Sequence, residues 1–116
     1  MMIKHIKDLK PILLSGQAVK HASMKVLVGP EDGFDTHVFR VLTLEKNGYS
    51  PFHKHPWFHV NYVLEGKGEI EIDGVVTKVE KGHYAFIESN QMHQFRNTGD
   101  VPFVFVCIVI KEGHIV

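Results

Sequence analysis

From about residue 24 onward, short runs rich in Val, Ile and Phe alternate with clusters of Gly, Asn, Asp and Pro. Runs of this length and composition predict β-strands separated by turns. The pattern places strands, with their turns, at 24–29, 37–45, 59–66, 68–74, 75–82, 83–89, 93–97 and 102–110. Asp73-Gly74 lies between Ile70-Glu71-Ile72 and Val75-Val76 and predicts a two-residue hairpin, since both central positions of such a turn favour residues that tolerate positive φ. Nothing reads as a long amphipathic helix. Residues 1–22 read as a leading strand and loop.

Strands at this spacing in 116 residues predict one all-β domain, 1–116, built as a sandwich or barrel with its edges mostly closed off. No repeat, low-complexity segment or linker marks a second domain. Alternation along 59–66 puts His59, Asn61, Val63 and Glu65 on one face and Val60, Tyr62 and Leu64 on the other. If the first set faces inward, the second needs cover from another sheet or a partner. The run 102–110 is apolar on both faces, as expected of a strand between a cavity and a subunit contact. Phe103, Phe105, Cys107 and Val109 are assigned to the cavity, because their two aromatic rings can line a small-molecule site.

Charge narrows the partners. Thirteen basic and thirteen acidic residues give a net charge of zero, so the chain lacks the positive field that nucleic acid or an anionic membrane would require. Cys107 is the single cysteine, so no intrachain disulfide is available and a reducing, cytoplasmic setting is expected. The segment "MMIKHIKDLK" has no apolar run long enough for a signal-peptide core, and the longest apolar run, 103–110, is too short for a membrane helix.

Three of nine histidines fall within seven residues, in "HKHPWFH" at 53–59. Pro51 and Pro56 exclude a helix there, so the i, i+4 spacing of His55 and His59 does not carry the helical meaning it otherwise has. In an extended segment His53 and His55 share a face, and Lys54 points away. His59 opens the strand after Pro56, and His93 opens the strand after "ESNQM". Several inward imidazoles without partners would be costly, and one shared cation would satisfy them all. His5, His21, His37, His83 and His114 read as surface or locally satisfied residues.

These residues carry a resemblance. Gly48, His53-x-His55, position 59 after three further residues, and Gly66 resemble the first motif of the cupin superfamily. Gly82, His93 and, after three intervening residues, Asn97 resemble the second. The motifs cover 48–66 and 82–97, and "HKHPWFH" is most similar to small single-domain cupins with four histidine ligands, several of which bind manganese. His59 stands where most enzymatic cupins place a glutamate, and Glu88 and Asn90 stand where proline and glycine are usual. The resemblance implies a double-stranded β-helix (jelly-roll) barrel of two antiparallel sheets, metal ligands His53, His55, His59 and His93, and a homodimer.

Four neutral ligands would leave a divalent ion its full charge and, in an octahedral site, two open positions. Manganese or iron follows from the resemblance, and nickel, zinc and copper also suit imidazole. A small organic substrate is the expected partner. The reactions that fit are an oxygen-using dioxygenase, a non-redox isomerase or decarboxylase, and ligand binding without catalysis. Around the metal, Asn61 is placed either to orient a ligand imidazole or at the barrel mouth. Trp57 sits at the pocket rim or packs under a turn, and Phe95 walls the pocket. Cys107 lies near the metal or is a buried structural thiol. Arg40 interrupts the apolar face Val38, Leu42, Leu44 and either snorkels to the edge or reaches an anionic substrate. No proton-transfer pair stands out, with Glu65 and Glu88 as the available carboxylates.

Overall fold

The computed structural model describes residues 1–114. Nine antiparallel strands build it: β1 (Ile12–Leu14), β2 (Lys20–Val28), β3 (His37–Tyr49), β4 (His59–Glu65), β5 (Lys67–Ile72), β6 (Val75–Glu80), β7 (Tyr84–Ile87), β8 (His93–Asn97) and β9 (Phe103–Ile110). Among the described residues the only helical pieces are three short 3-10 turns. The strand order is β6-β5-β8-β3-β9-β4-β7, with β2 beside β3 and β1 beside β2.

The expected two sheets are thus two halves of one continuous, curled sheet. The cause is β3. Over residues 37–44 it pairs with β9, over 39–49 it pairs with β2, and at its far end Tyr49 pairs with Arg96 of β8. A strand of 13 residues is long enough to leave one half and join the other. The sequence pattern stops β3 at residue 45 because Glu45, Lys46 and Asn47 are polar and exposed. The backbone nevertheless continues as strand, with Asn47 at φ 67°. Gly48 is required just beyond, since a Cβ there would lie 2.8–2.9 Å from the carbonyl oxygens of Glu45, His21 and Lys20.

The Asp73-Gly74 turn forms as the sequence predicts: both residues have positive φ, and Ile72 pairs with Val75 across it. Inward side chains fill the barrel with Leu44, Val63, Ile70, Ile87, Phe103 and Phe105 among them. On β9 the Phe103, Phe105, Cys107, Val109 set is buried, and the alternate set is partly exposed. On β4 His59, Asn61 and Val63 are buried, and Val60 and Tyr62 are exposed. A register shift between Val63 and Glu65 ends that alternation, so Glu65 is exposed instead of inward. The packed core occupies one end of the barrel and leaves the other for the histidines.

Candidate metal centre

Two distant segments are stitched together at the backbone. His53 and His93 form an isolated antiparallel bridge, with His53 N–H donating to the His93 carbonyl at 3.1 Å and His93 N–H donating to that of His53 at 2.9 Å. Asn90 N–H donates to the His55 carbonyl at 2.7 Å. Asn90 holds φ 65°, a conformation that asparagine tolerates better than most residues, which explains how it replaces a glycine. Asp73 fixes the same loop from the hairpin tip: its backbone N–H reaches the Met92 carbonyl, and its carboxylate accepts from Met92 N–H and Gln91 Nε2.

The four imidazoles gather at this junction. Ring centroids are 5.1 Å apart for His53 and His55, 5.3 Å for His55 and His59, and 4.9 Å for His93 with each of the other three. His53 and His59 are the one pair of the four without such a ring contact. Ligand nitrogens of His53, His55 and His93 lie within 4.8 Å of one another, a grouping able to hold a metal ion. His59 joins from the side of His93, Nε2 to Nε2 at 3.2 Å.

The hydrogen bonds decide which nitrogen carries each proton. The Nδ1 atoms of His55 and His93 lie 2.7 and 2.8 Å from the carbonyl oxygens of Trp57 and Gln91, which can only accept. His59 Nδ1 lies 2.6 Å from Asn61 Oδ1, and Asn61 is oriented by its own Nδ2 donating to the Val106 carbonyl. All three rings are therefore protonated on Nδ1 and present a lone pair on Nε2. Two lone pairs at 3.2 Å repel unless a cation lies between them. A proton is a poor candidate, because burial, with the charge of Arg40 adding for His59 and the neighbouring rings for His93, lowers both pKa values to about 4. Burial and the other three rings likewise hold His53 at about 4, and burial lowers His55. The donor set suits a divalent ion.

The cluster lines a cavity of about 760 Å³. Arg40, Trp57, Asn61, Phe95, Phe105 and Cys107 all line it with the four histidines. Trp57 stacks on the His55 ring at 5.1 Å and 12°, and Phe95 stacks on Phe105 at 4.4 Å and 15°. Phe103 packs in the core instead of the cavity wall. Arg40 keeps its guanidinium inside the barrel, near Cys107, Met24 and His114. The sequence reading missed Leu13, Leu14 and Val19 from the leading segment, Met24 and Gly113. Only the inward parity of Met24 on β2 was a usable signal. The rest come together through tertiary packing.

Residues 40–109 match the family model described as the cupin domain. The chain is a cupin. Its fold superposes on a polyketide cyclase from Streptomyces resistomycificus with a TM-score of 0.88 at 27% identity, over 95% of this chain and 79% of that one. A protein described as a predicted oxalate decarboxylase, from Thermotoga maritima, gives a TM-score of 0.86 at 24% identity, over 94% and 98%, and supports the fold alone. Among curated proteins, an oxalate-binding protein of Thermotoga maritima is 30% identical over 59 residues, 50% of this cupin and 49% of that protein. An uncharacterized protein of Aquifex aeolicus is 35% identical over 51 residues, 40% and 42% of the two chains. The cupin thus spans about half the length of the curated relatives it matches.

Two outcomes follow for the cupin. Replacing Asn61 with Leu removes the acceptor that holds His59 Nδ1–H, and divalent-ion affinity in chelator competition should fall by about 10- to 100-fold. Protonation of the rings also ties stability to pH. Unfolded imidazoles titrate near 6.5 and the three folded rings near 4, so both states are neutral at pH 7. Below pH 6.5 the unfolded chain takes up protons that the folded protein resists. The Tm of the metal-free protein should decline from pH 7 towards pH 4, and His59→Gln should remove part of that decline.

Proposed function

We propose that this cupin is a metalloenzyme holding a divalent ion on His53, His55, His59 and His93, and acting on a small organic anion that binds the ion through two oxygens. The pattern of ring contacts carries the reading. Five close ring pairs out of six is the number an octahedron with His53 opposite His59 would give, whereas a tetrahedral set would give six and a square-planar set four. An octahedron with a single opposite pair leaves its two remaining positions adjacent, the arrangement a chelating ligand needs. Polyketides and oxalate, named for two of the relatives, are oxygen-rich molecules of that kind.

When bound, the ion supplies Lewis acidity to the ligand's oxygens. The residues of the chain do the rest. The carbonyls of Trp57 and Gln91 and the amide of Asn61 hold the imidazoles in the ligating tautomer. Trp57, Phe95 and Phe105 give one side of the site an apolar wall. Among the described lining residues there is no carboxylate, so no side chain competes with an anionic ligand for the ion. This favours non-redox chemistry on an enolisable or carboxylate-bearing substrate. Oxygen-dependent turnover is the second reading, favoured by the apolar Phe95 and Phe105 wall beside the cluster.

One set of measurements tests both. Protein purified without added metal should carry about one divalent ion per chain, lost on His59→Ala or His93→Ala. Turnover of 1,3-diketone or 2-oxo acid substrates should persist with zinc under strict anaerobiosis. Oxygen uptake restricted to iron- or manganese-loaded protein would instead select the second reading. Retention of the ion by both variants would remove the basis of each.

We propose a homodimer as the partner state. Val60, Tyr62, Tyr84 and Phe86 are 40%, 46%, 81% and 57% exposed on two adjacent strands, and β7 ends the sheet's path. An open edge with an apolar face invites association, and zero net charge sets up no repulsion between copies. Light scattering should give a dimer for the wild type and a monomer for Tyr84→Lys/Phe86→Lys. A monomeric wild type at tens of micromolar would overturn this.

A further inference from the structure

Among the described residues Arg40 has no counter-ion. Its NH2 group donates to Cys107 Sγ at 3.5 Å, and its NH1 group lies 3.7 Å from Met24 Sδ and 3.4 Å from His114 Nδ1. Nε is buried without a hydrogen-bond partner. Thioether and thiol sulfurs are weak acceptors, and burial with the charge of Arg40 lowers the pKa of His114, which leaves a neutral ring. The ion pairs among the described residues lie elsewhere: Lys46 with Asp100, and Arg96 with Glu69 and Glu71. Arg96 shows the usual arrangement on this barrel, one guanidinium held by two carboxylates. The part-buried Arg40 guanidinium thus faces the cavity with no carboxylate beside it among the described residues.

Its position indicates what it is placed to pair with. Arg40 pairs across β3 and β9 with Cys107, and Cys107 pairs across β9 and β4 with Asn61, the residue that holds His59. The backbone of Cys107 is therefore about one strand spacing (~4.8 Å) and one same-face step (~6.6 Å) from that of His59, roughly 8 Å on the diagonal, and the guanidinium lies beside the Cys107 side chain. Arg40 and the imidazole cluster line the same cavity.

We propose that Arg40 is a carboxylate subsite, and that the ligand of this cavity is an organic dianion: one end chelates the ion and the other places a carboxylate on the guanidinium. This rests on the four-imidazole centre proposed above and adds the substrate class. A planar guanidinium pairs a carboxylate through two parallel hydrogen bonds, which the sulfurs now beside it leave available. The span selects for length. A ligand oxygen on the ion and a carboxylate oxygen on Arg40 stand roughly 3 to 5 Å apart once the two bond lengths are subtracted, which one or two intervening carbons supply.

The test uses the full chain loaded with cobalt(II), with lactate, malate and 2-hydroxyglutarate as probes. All three share a 2-hydroxy acid end and differ in the distal carboxylate. In calorimetric titration malate or 2-hydroxyglutarate should bind the wild type at least about tenfold more tightly than lactate, and than the distal amide of malate. In Arg40→Met the preference should collapse while cobalt content and lactate affinity hold, and Arg40→Lys should keep part of it. Equal affinities in the wild type, no binding by any of the acids at millimolar concentration, or a preference that survives Arg40→Met would each overturn the subsite. If Arg40→Met does not fold, the wild-type comparison of malate with its distal amide decides alone. Failure of the wild type to bind cobalt is a separate result that removes the metal centre and the subsite with it.

Discussion

The barrel depends at its mouth on one reciprocal pair of backbone hydrogen bonds, between His53 and His93. These residues are far apart in sequence and belong to segments with little regular structure in common. Once bridged, their side chains must project to the same side, and the flanking histidines follow from the strand geometry: His55 from the extended segment, His59 from the start of β4. This creates an electrostatic problem at the two buried rings, His59 and His93, whose Nε2 atoms are brought close together. An acceptor at Nδ1 of three of the rings leaves their Nε2 lone pairs convergent, an arrangement that a shared cation relieves.

How much of this the sequence carried depended on how local the cause was. The Asp73-Gly74 hairpin was fully legible, because a two-residue turn is set by its own φ angles. The inward parity of β4 and β9 was legible too, since alternation survives wherever one face is buried. Proline removed the helical reading of His55 and His59 before any tertiary information was needed. The end of β3 was not legible, as polar residues at 45–47 fall in an irregularity between the Ala22–Leu44 and Lys20–Tyr49 pairs, beyond which the pairing resumes. Nor was the exposure of Glu65, which a shift of register against β9 decides.

The histidine cluster stood between these cases. Spacing brought His53 and His55 together, but the approach of His59 and His93 rests on long-range pairing, which only the resemblance to a known pattern supplied. The tautomers lay beyond any reading of spacing. Asn61 was visible as an inward polar residue, yet its hold on His59 depends on the amide being turned by the Val106 carbonyl of a different strand. The cavity lining from the leading segment and from Gly113 was hidden for the same reason: those residues have no pattern of their own that points inward.

Asp73 shows how such remote pairing gives a turn residue a second role. For the hairpin alone, Asn in front of Gly74 would serve as well as Asp. The carboxylate, however, also accepts from the Met92 N–H and the Gln91 side chain, just upstream of His93, and its charge acts on that imidazole against the larger effect of burial. A bend on the outer rim therefore helps to fix the approach of a ring it never touches. An exchange invisible to the backbone would be felt in the interior.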